Sequence, residues 1–340
     1  MRPLDRQAPR AGHSLPGGRA AAALRDGPVT AAVHARRAAG ALRAAVDRPA
    51  VRVGLLTLGL VLLGLIWLGL VPYDTVRRDA HAYWAVDPVN PYLGARLGGE
   101  DAFLYSPAAA QLAAWASALP YEVFRGLWSM AQLGTLLGLG AGWLLPLPPV
   151  LEEIVRGNIH LFLAAAIVAG FRFPAAWAFV ILTKVTPAVG IAWFTARGEW
   201  RALTTIGLAV SSVVAVSVAV GGAGLWWEWL GLLGASAGSA APFAYLGVAP
   251  PPLVLRLPLA ALLAAWGGRT DRRWTVPLAA IVALPVIWPS GFALVAALPA
   301  TLGSGPGRRL RRSLPGLRGR RRPRVIPASA VPGQDGSRPA

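Results

Sequence analysis

The stretch VPYDTVRRDAHAYWAVDPVNPY, residues 71–92, gathers carboxylates, cations, a histidine and flat aromatic rings into one short segment. Asp74, Asp79 and Asp87 have the chemistry of a general base toward a hydroxyl nucleophile, and the neighbouring cations suit an anion. Tyr83 and Trp84, with Tyr105 further along, offer amphipathic faces that fit a sugar ring. The alternative for the same residues is an interfacial loop whose charges meet lipid headgroups. Metal ligation by Asp74, Asp79 and His81 is a weaker reading, because their spacing matches no hard-cation site.

A second stretch, ILTKVTPAV at residues 181–189, holds the single lysine among 33 Lys and Arg. Nearly all the arginines lie in the two tails or in short polar breaks, whereas Lys184 stands inside a long apolar run. A lysine at the centre of a membrane span costs ~2.5–3.5 kcal/mol on insertion scales. It must either snorkel to the interface or line a polar cavity.

The elements that would carry these residues are membrane helices. Hydrophobic residues make up 55% of the chain and charged residues 14%, against about 25% charged in soluble domains. Mean hydropathy is +0.52. VGLLTLGLVLLGLIWLGLV, Val53 to Val71, is uncharged and close to the ~20 residues that cross a bilayer core. It does not read as a cleaved signal, since a long Arg-rich segment precedes it and no small-residue cleavage site follows.

Arginines at 48–52, 172, 197–201, 269–273 and from 308 onward mark the cytoplasmic side, so each interval between them crosses an even number of times. Between Arg201 and Arg269 this gives a span near 202–222, an outer loop across 223–245 containing WWEWLG, and a return near 246–266. The Trp cluster fits a membrane interface better than sugar stacking. Between Arg172 and Arg197 only 24 residues are available, and two full crossings need roughly 40. Two half-helices meeting at Thr-Lys-Val-Thr-Pro satisfy the parity, with Pro187 interrupting the ladder and Lys184 facing a cavity. LEEIVRGNIH, Leu151 to His160, then falls on the outer side.

The predicted fold is all-α: a polytopic membrane helical bundle with roughly eight to ten crossings, some of them short and broken. Residues 1–52 read as a disordered cytoplasmic Arg-rich tail and 305–340 as a disordered basic cytoplasmic tail. Residues 53–304 form the transmembrane domain, with an outer loop at 72–124. The net charge of +18 is concentrated beside spans, which points to topology and to membrane lipids as partners, not to nucleic acid. The absence of cysteine excludes disulfides, thiol catalysis and Cys-ligated zinc. No phosphate-binding Gly-rich loop, His-Glu-x-x-His or Gly-x-Ser-x-Gly occurs, and no cofactor is called for.

At RRDAHAY, NPY and FLYSP the chain resembles glycosyltransferase family 87, the polytopic GT-C enzymes similar to polyprenyl-phosphate-mannose-dependent mannosyltransferases and arabinofuranosyltransferases of actinobacteria. Asp79 and Tyr83 keep the family's Asp-to-Tyr spacing. Asn90 to Tyr92, Phe103 to Pro107, Trp128, and Lys184 with Pro187 follow in the family's order. Gly157-Asn158-Ile159-His160 stands where the family has Gly-Gln-x-Asn, and the C-terminal half is short, with Ala241-Pro242-Phe243 in place of a polar outer-loop motif.

The resemblance implies a GT-C-like bundle in the plasma membrane, with both termini cytoplasmic and the active site outside. It implies inverting transfer of a sugar, mannose favoured, from a polyprenyl-phospho-sugar donor to a glycolipid or cell-wall glycan acceptor. Asp79 is then the base, with Asp74 the runner-up. Lys184 holds the donor phosphate with Arg78, His81 or Arg156 assisting, and Tyr83, Trp84, Tyr105, Asn158 and His160 contact substrate. No metal site is implied. The competing classes are a lipid or small-molecule transporter or flippase, and an inactive scaffold of the same fold.

Overall fold

Arginine-rich and alanine-rich residues 33–46 form helix α1, and the uncharged run that follows forms α2, Pro49–Trp67, in the computed structural model, which describes residues 33–71, 78–95, 101–237 and 250–302. Part of the segment expected to be disordered is thus helical, as the helix propensity of Ala and Arg favours. Among the described residues all regular elements are helices and no strand occurs.

Among the described residues two helices are long and apolar enough to cross a membrane: α2 and α10, Trp200–Gly221. Only 11% of the apolar window of each is buried against protein. Helices that are apolar on every side and still exposed suit hydrocarbon surroundings better than water. A third candidate is the pair α6, Pro148–Arg156, and α7, His160–Gly170, which meet at a bend of 108°.

Two or three candidate spans among the described residues are fewer than the eight to ten crossings expected, because proline and glycine cut the other apolar runs into short pieces. The segment before Leu119 divides into α4, Pro107–Ala113, and a 3₁₀ turn, Ala114–Ala118. The run from 174 to 196 divides into α8, Trp177–Thr183, a 3₁₀ helix over Thr186–Ile191 and α9, Ala192–Ala196. The return expected near 246–266 is α12, Leu253–Arg269, with Pro258 inside it. Part of the outer loop expected across 223–245 is helical, and residues 238–245 lie outside the described residues. Residues 224–237 form helix α11, Gly224–Ala237, a Leu- and Trp-rich stretch free of proline.

The remaining pieces pack as short helices around one core. Helix α3, Arg78–Trp84, lies against α5, Tyr121–Gly138, and against α6. Both α6 and α7 pack on a long 3₁₀ helix, Pro289–Ala297, that follows α13, Thr275–Val282. Trp177, Trp193 and Phe194 are buried at the centre, with Phe171 edge-on to Trp193 at 5.0 Å. At the first turn of α12, the buried guanidinium of Arg256 donates to the carbonyls of Val282, Leu284 and Pro285 at 2.6–3.0 Å and closes the end of α13.

Helices α9 and α12 approach closely where Gly268 meets the backbone of Trp193. A Cβ at position 268 would lie 3.2 Å from both the Cα and the carbonyl carbon of Trp193, and a backbone contact cannot rotate away. Gly268→Ala should therefore lower the melting temperature of the protein in lipid nanodiscs, in line with overpacking costs of about 1–3 kcal/mol. Gly231→Ala on α11, where nothing lies within 4 Å, serves as the control and should not lower it. Equal melting of the two variants would show that the α9–α12 contact has room to spare.

Candidate functional site

Two helix ends and one short helix assemble the site. Helix α6 stops at Gly157, whose φ of +72° is the left-handed C-cap that glycine adopts without strain. A Cβ there would lie 2.6 Å from Ala80 Cβ on α3 and 3.2 Å from Trp128 on α5, so the corner admits no side chain. Trp128 Nε1 donates to the Gly157 carbonyl at 2.7 Å, and Gln132 donates to the carbonyls of Glu153 and Asn158. The α6–α7 corner is thus pinned on both sides, which fixes where Glu153, Asn158 and His160 point.

Glu153 is fully buried and spends both carboxylate oxygens locally. Oε1 accepts from the backbone N–H groups of His160 and Leu161, capping the start of α7, where a negative charge suits the helix dipole. Oε2 lies 2.9 Å from His160 Nδ1. On its other side, His160 Nε2 lies 2.9 Å from Lys184 Nζ. Lys184 sits at the C-cap of α8 in an extended conformation, φ −132° and ψ 101°, so the helix ends where the ammonium turns inward. Among the described residues His160 is the hydrogen-bond partner of that ammonium, which has three N–H donors. Two donors remain for a ligand.

Asp79 faces this same group from α3. Burial pushes its carboxyl above the usual carboxylate range, and Lys184 is the largest opposing influence; Glu153 also raises it, and Arg156 and His160 lower it. Arg156 is itself tied to Glu152, Nε to Oε1, at 2.7 Å. Tyr83, one turn after Asp79, brings its hydroxyl to 2.7 Å from that of Tyr105 and 3.4 Å from Asn158 Oδ1. Tyr83 has a single proton, so it donates to Asn158 while Tyr105 donates to Tyr83. Burial raises both phenols, so both keep their protons.

An apolar cavity of about 250 Å³ adjoins the polar group. Tyr83, Phe103, Tyr105, Trp128, Phe179 and Thr183 line it, together with small residues of α4. Tyr83 and Tyr105 belong to both compartments. Thr183 and Ile159 in the wall immediately precede Lys184 and His160 in the chain. The phenol hydroxyls of Tyr83 and Tyr105 are thus shared by the slot and the polar group, while Asp79, His160 and Lys184 stand behind its wall.

Of the residues singled out from sequence, Asp79, Arg156, His160 and Lys184 come together in this group, with Tyr83, Tyr105 and Asn158 beside it. His81 and Trp84 do not. His81 Nδ1 pairs with Asp101 Oδ2 at 2.9 Å and stacks near Trp84 and Tyr121, while Trp84 Nε1 donates to the Leu119 carbonyl at 2.8 Å. On a helix, residues 79 and 83 share a face that residues 81 and 84 do not. Asp79 and His81 therefore diverge and do not make a joint cation site. Asp74 and the side chain of Arg78 lie outside the described residues. Glu153 was missed by sequence reading. Its signal is a pair of acids, Glu152 and Glu153, in an otherwise apolar segment just before the Gly157 break.

Comparison with family models, with characterised proteins and with solved structures finds no match to this chain.

The raised carboxyl of Asp79 makes a stability prediction. A carboxyl whose folded pKa exceeds its unfolded value destabilises the fold once ionised: the cost is absent below the ordinary range and complete above the raised value. Asp79→Asn should melt a few degrees higher than wild type at neutral pH, with the gap closing toward about pH 4. A gap that stays constant with pH would mean that the carboxyl is not desolvated.

Proposed function

We propose that the chain is a membrane glycosyltransferase that moves a sugar, mannose favoured, with inversion, from a polyprenyl-phosphate donor to a glycolipid or cell-wall glycan hydroxyl on the outer face of the plasma membrane. The observation that carries this reading is that Lys184, held by His160, is the largest influence lowering the Asp79 carboxyl, two half-buried groups of opposite charge near an aromatic slot. A lipid-linked sugar phosphate has the same three parts in the same order: an apolar chain, an anion and a polar ring. The slot suits the prenyl chain nearest the phosphate, the two remaining ammonium donors of Lys184 suit the phosphate oxygens, and Asp79 suits the acceptor hydroxyl.

The chemistry follows from placing those groups. As the bond from the sugar C1 to the phosphate oxygen lengthens, positive charge grows on the ring and negative charge on the phosphate. Lys184 stabilises the departing phosphate, and Arg156 adds positive potential nearby. The acceptor oxygen attacks the opposite face of C1, which inverts the configuration, while Asp79 takes its proton. The new bond is acceptor O to C1, the broken bond is C1 to phosphate O, and the proton ends on the Asp79 carboxylate. Its raised pKa matches that acceptor role, because a carboxyl poised above the usual range holds the proton better.

This reading includes the topology drawn from the arginines: both tails cytoplasmic, residues 72–105 outside, and roughly eight to ten passes in which short helices pair end to end. A second reading has its own observation. The 108° bend between α6 and α7 and the break at Lys184 are the discontinuous helices that transporters also use around a buried site.

The test uses purified protein in lipid with radiolabelled polyprenyl-phosphomannose and a glycolipid acceptor. Asp79→Asn should lower turnover by about 10²-fold or more with donor binding retained. Lys184→Met should weaken donor binding, and Lys184→Arg should restore it only in part, since a planar guanidinium is shaped and hydrated differently. Near-normal transfer by Asp79→Asn with a dead Asp74→Asn would move the base to Asp74. Uptake of the lipid without any sugar transfer would favour the transporter. Orientation is checked by cysteines at Ala95 and Ala11 in intact cells: the first should react with an impermeant thiol reagent and the second should not.

A further inference from the structure

The hydrogen bonds around His160 run in one direction. With Glu153 ionised and Lys184 protonated, the carboxylate only accepts and the ammonium only donates, so the imidazole between them donates from Nδ1 and accepts at Nε2. Both contacts are 2.9 Å, and both ring nitrogens are spent in them. His160 is 1% exposed and Glu153 0%, which leaves the ring no room to turn toward a ligand. Glu153 is itself immobilised by the two N–H groups of α7, so its orientation is set by the backbone of the α6–α7 corner. A rigid chain of contacts therefore links that corner to the ammonium at the end of α8.

We infer that Glu153 and His160 are positioning residues for Lys184: they hold one of its N–H bonds and aim the other two into the site. His160 is on this account no substrate contact, because its last acceptor is already used. The inference rests on the reading of Lys184 as a phosphate ligand, but the hydrogen-bond relay can be measured apart from it.

Substituting Glu153 by glutamine changes the polarity of the relay with almost no change of shape. The amide oxygen accepts from the two fixed backbone N–H groups, as Oε1 did. The amide nitrogen then donates to His160 Nδ1, which moves the ring proton to Nε2. Nε2–H faces the Lys184 ammonium, donor against donor, and the ammonium is pushed from its place. A buried carboxylate that served only to cap α7 would affect stability and leave the tautomer and the ligand affinity alone.

The experiment labels histidine with ¹⁵N in protein held in lipid nanodiscs, assigns His160 by the signals lost in His160→Gln, and reads the tautomer from the ring nitrogen shifts. Binding is measured in the same samples with farnesyl phosphate as probe. Wild type should show Nδ1–H with a bare Nε2. Glu153→Gln should show the reverse and bind the probe about tenfold more weakly, the usual size of effect for a partner that orients a ligating group. An Nε2–H or doubly protonated ring in wild type would overturn the relay, and this reading does not depend on how well the variant folds. Wild-type affinity in Glu153→Gln alongside weakened binding in Lys184→Met would also overturn it while leaving the phosphate role intact. Equal affinity in wild type and Lys184→Met would instead remove the phosphate role of Lys184, whatever the tautomer.

Discussion

An ammonium group at the end of a helix, inside an otherwise apolar segment, has to be solvated, and the α6–α7 corner provides the first of its three hydrogen bonds. The cost of removing a charge from water is returned only when its hydrogen bonds are rebuilt. For Lys184 the rebuilding begins at Gly157, whose left-handed cap turns the chain so that Glu153 faces the start of α7 and His160 faces Lys184. The rest of the local fold serves that corner. Ala80 gives α3 the closeness to reach Gly157, Trp128 and Gln132 fix the corner's carbonyls, and the break before Pro187 lets Lys184 point inward.

The contrast with Arg256 shows what separates a structural cation from a site. Arg256 is also buried, and its guanidinium is occupied by backbone carbonyls of α13 and the turn after it. With Nε–H given to the Pro251 carbonyl, four of its five N–H bonds are spent on backbone. Lys184 meets one described acceptor, lies beside a cavity, and shares its surroundings with Asp79. The carboxylates Asp79, Glu152 and Glu153 also outnumber the cations Arg156 and Lys184, but two of the three are committed, Glu152 to Arg156 and Glu153 to the relay. That leaves Asp79 as the carboxylate of the group for which no hydrogen-bond partner is seen among the described residues.

Some of this was legible in the sequence. The shortage of residues between Arg172 and Arg197 required a broken segment, and Thr183–Pro187 is where the helix breaks. The expected spans at Val53 to Val71 and 202–222 correspond to α2 and α10. That Asp79 and Lys184 serve one site was suggested only by the resemblance to a family, since no local pattern links residues so far apart, and in the structure the link between them is electrostatic. Other features depended on facts that no linear pattern carries. With residues 71–92 read as a loop, His81 could join Asp79 in a weak cation site or aid Lys184 at the phosphate; with residues 78–84 a helix, two positions apart means opposite directions. Glu152 and Glu153 are neighbours with different fates, decided by a single left-handed turn at Gly157. Residues 224–237 of the expected 223–245 loop form α11, and a charge-parity argument counts crossings and says nothing about the conformation between them.

The most direct measurement is a structure of the wild-type protein in a lipid nanodisc with a non-hydrolysable phosphonate analogue of polyprenyl-phosphomannose. The phosphonate oxygens should lie within hydrogen-bond distance of Lys184 Nζ, the first prenyl units should fill the slot between Tyr83, Trp128 and Phe179, and the sugar C1 should face Asp79. A phosphonate bound elsewhere, with Lys184 still held by His160 and the slot empty, would contradict the joint role of Asp79 and Lys184.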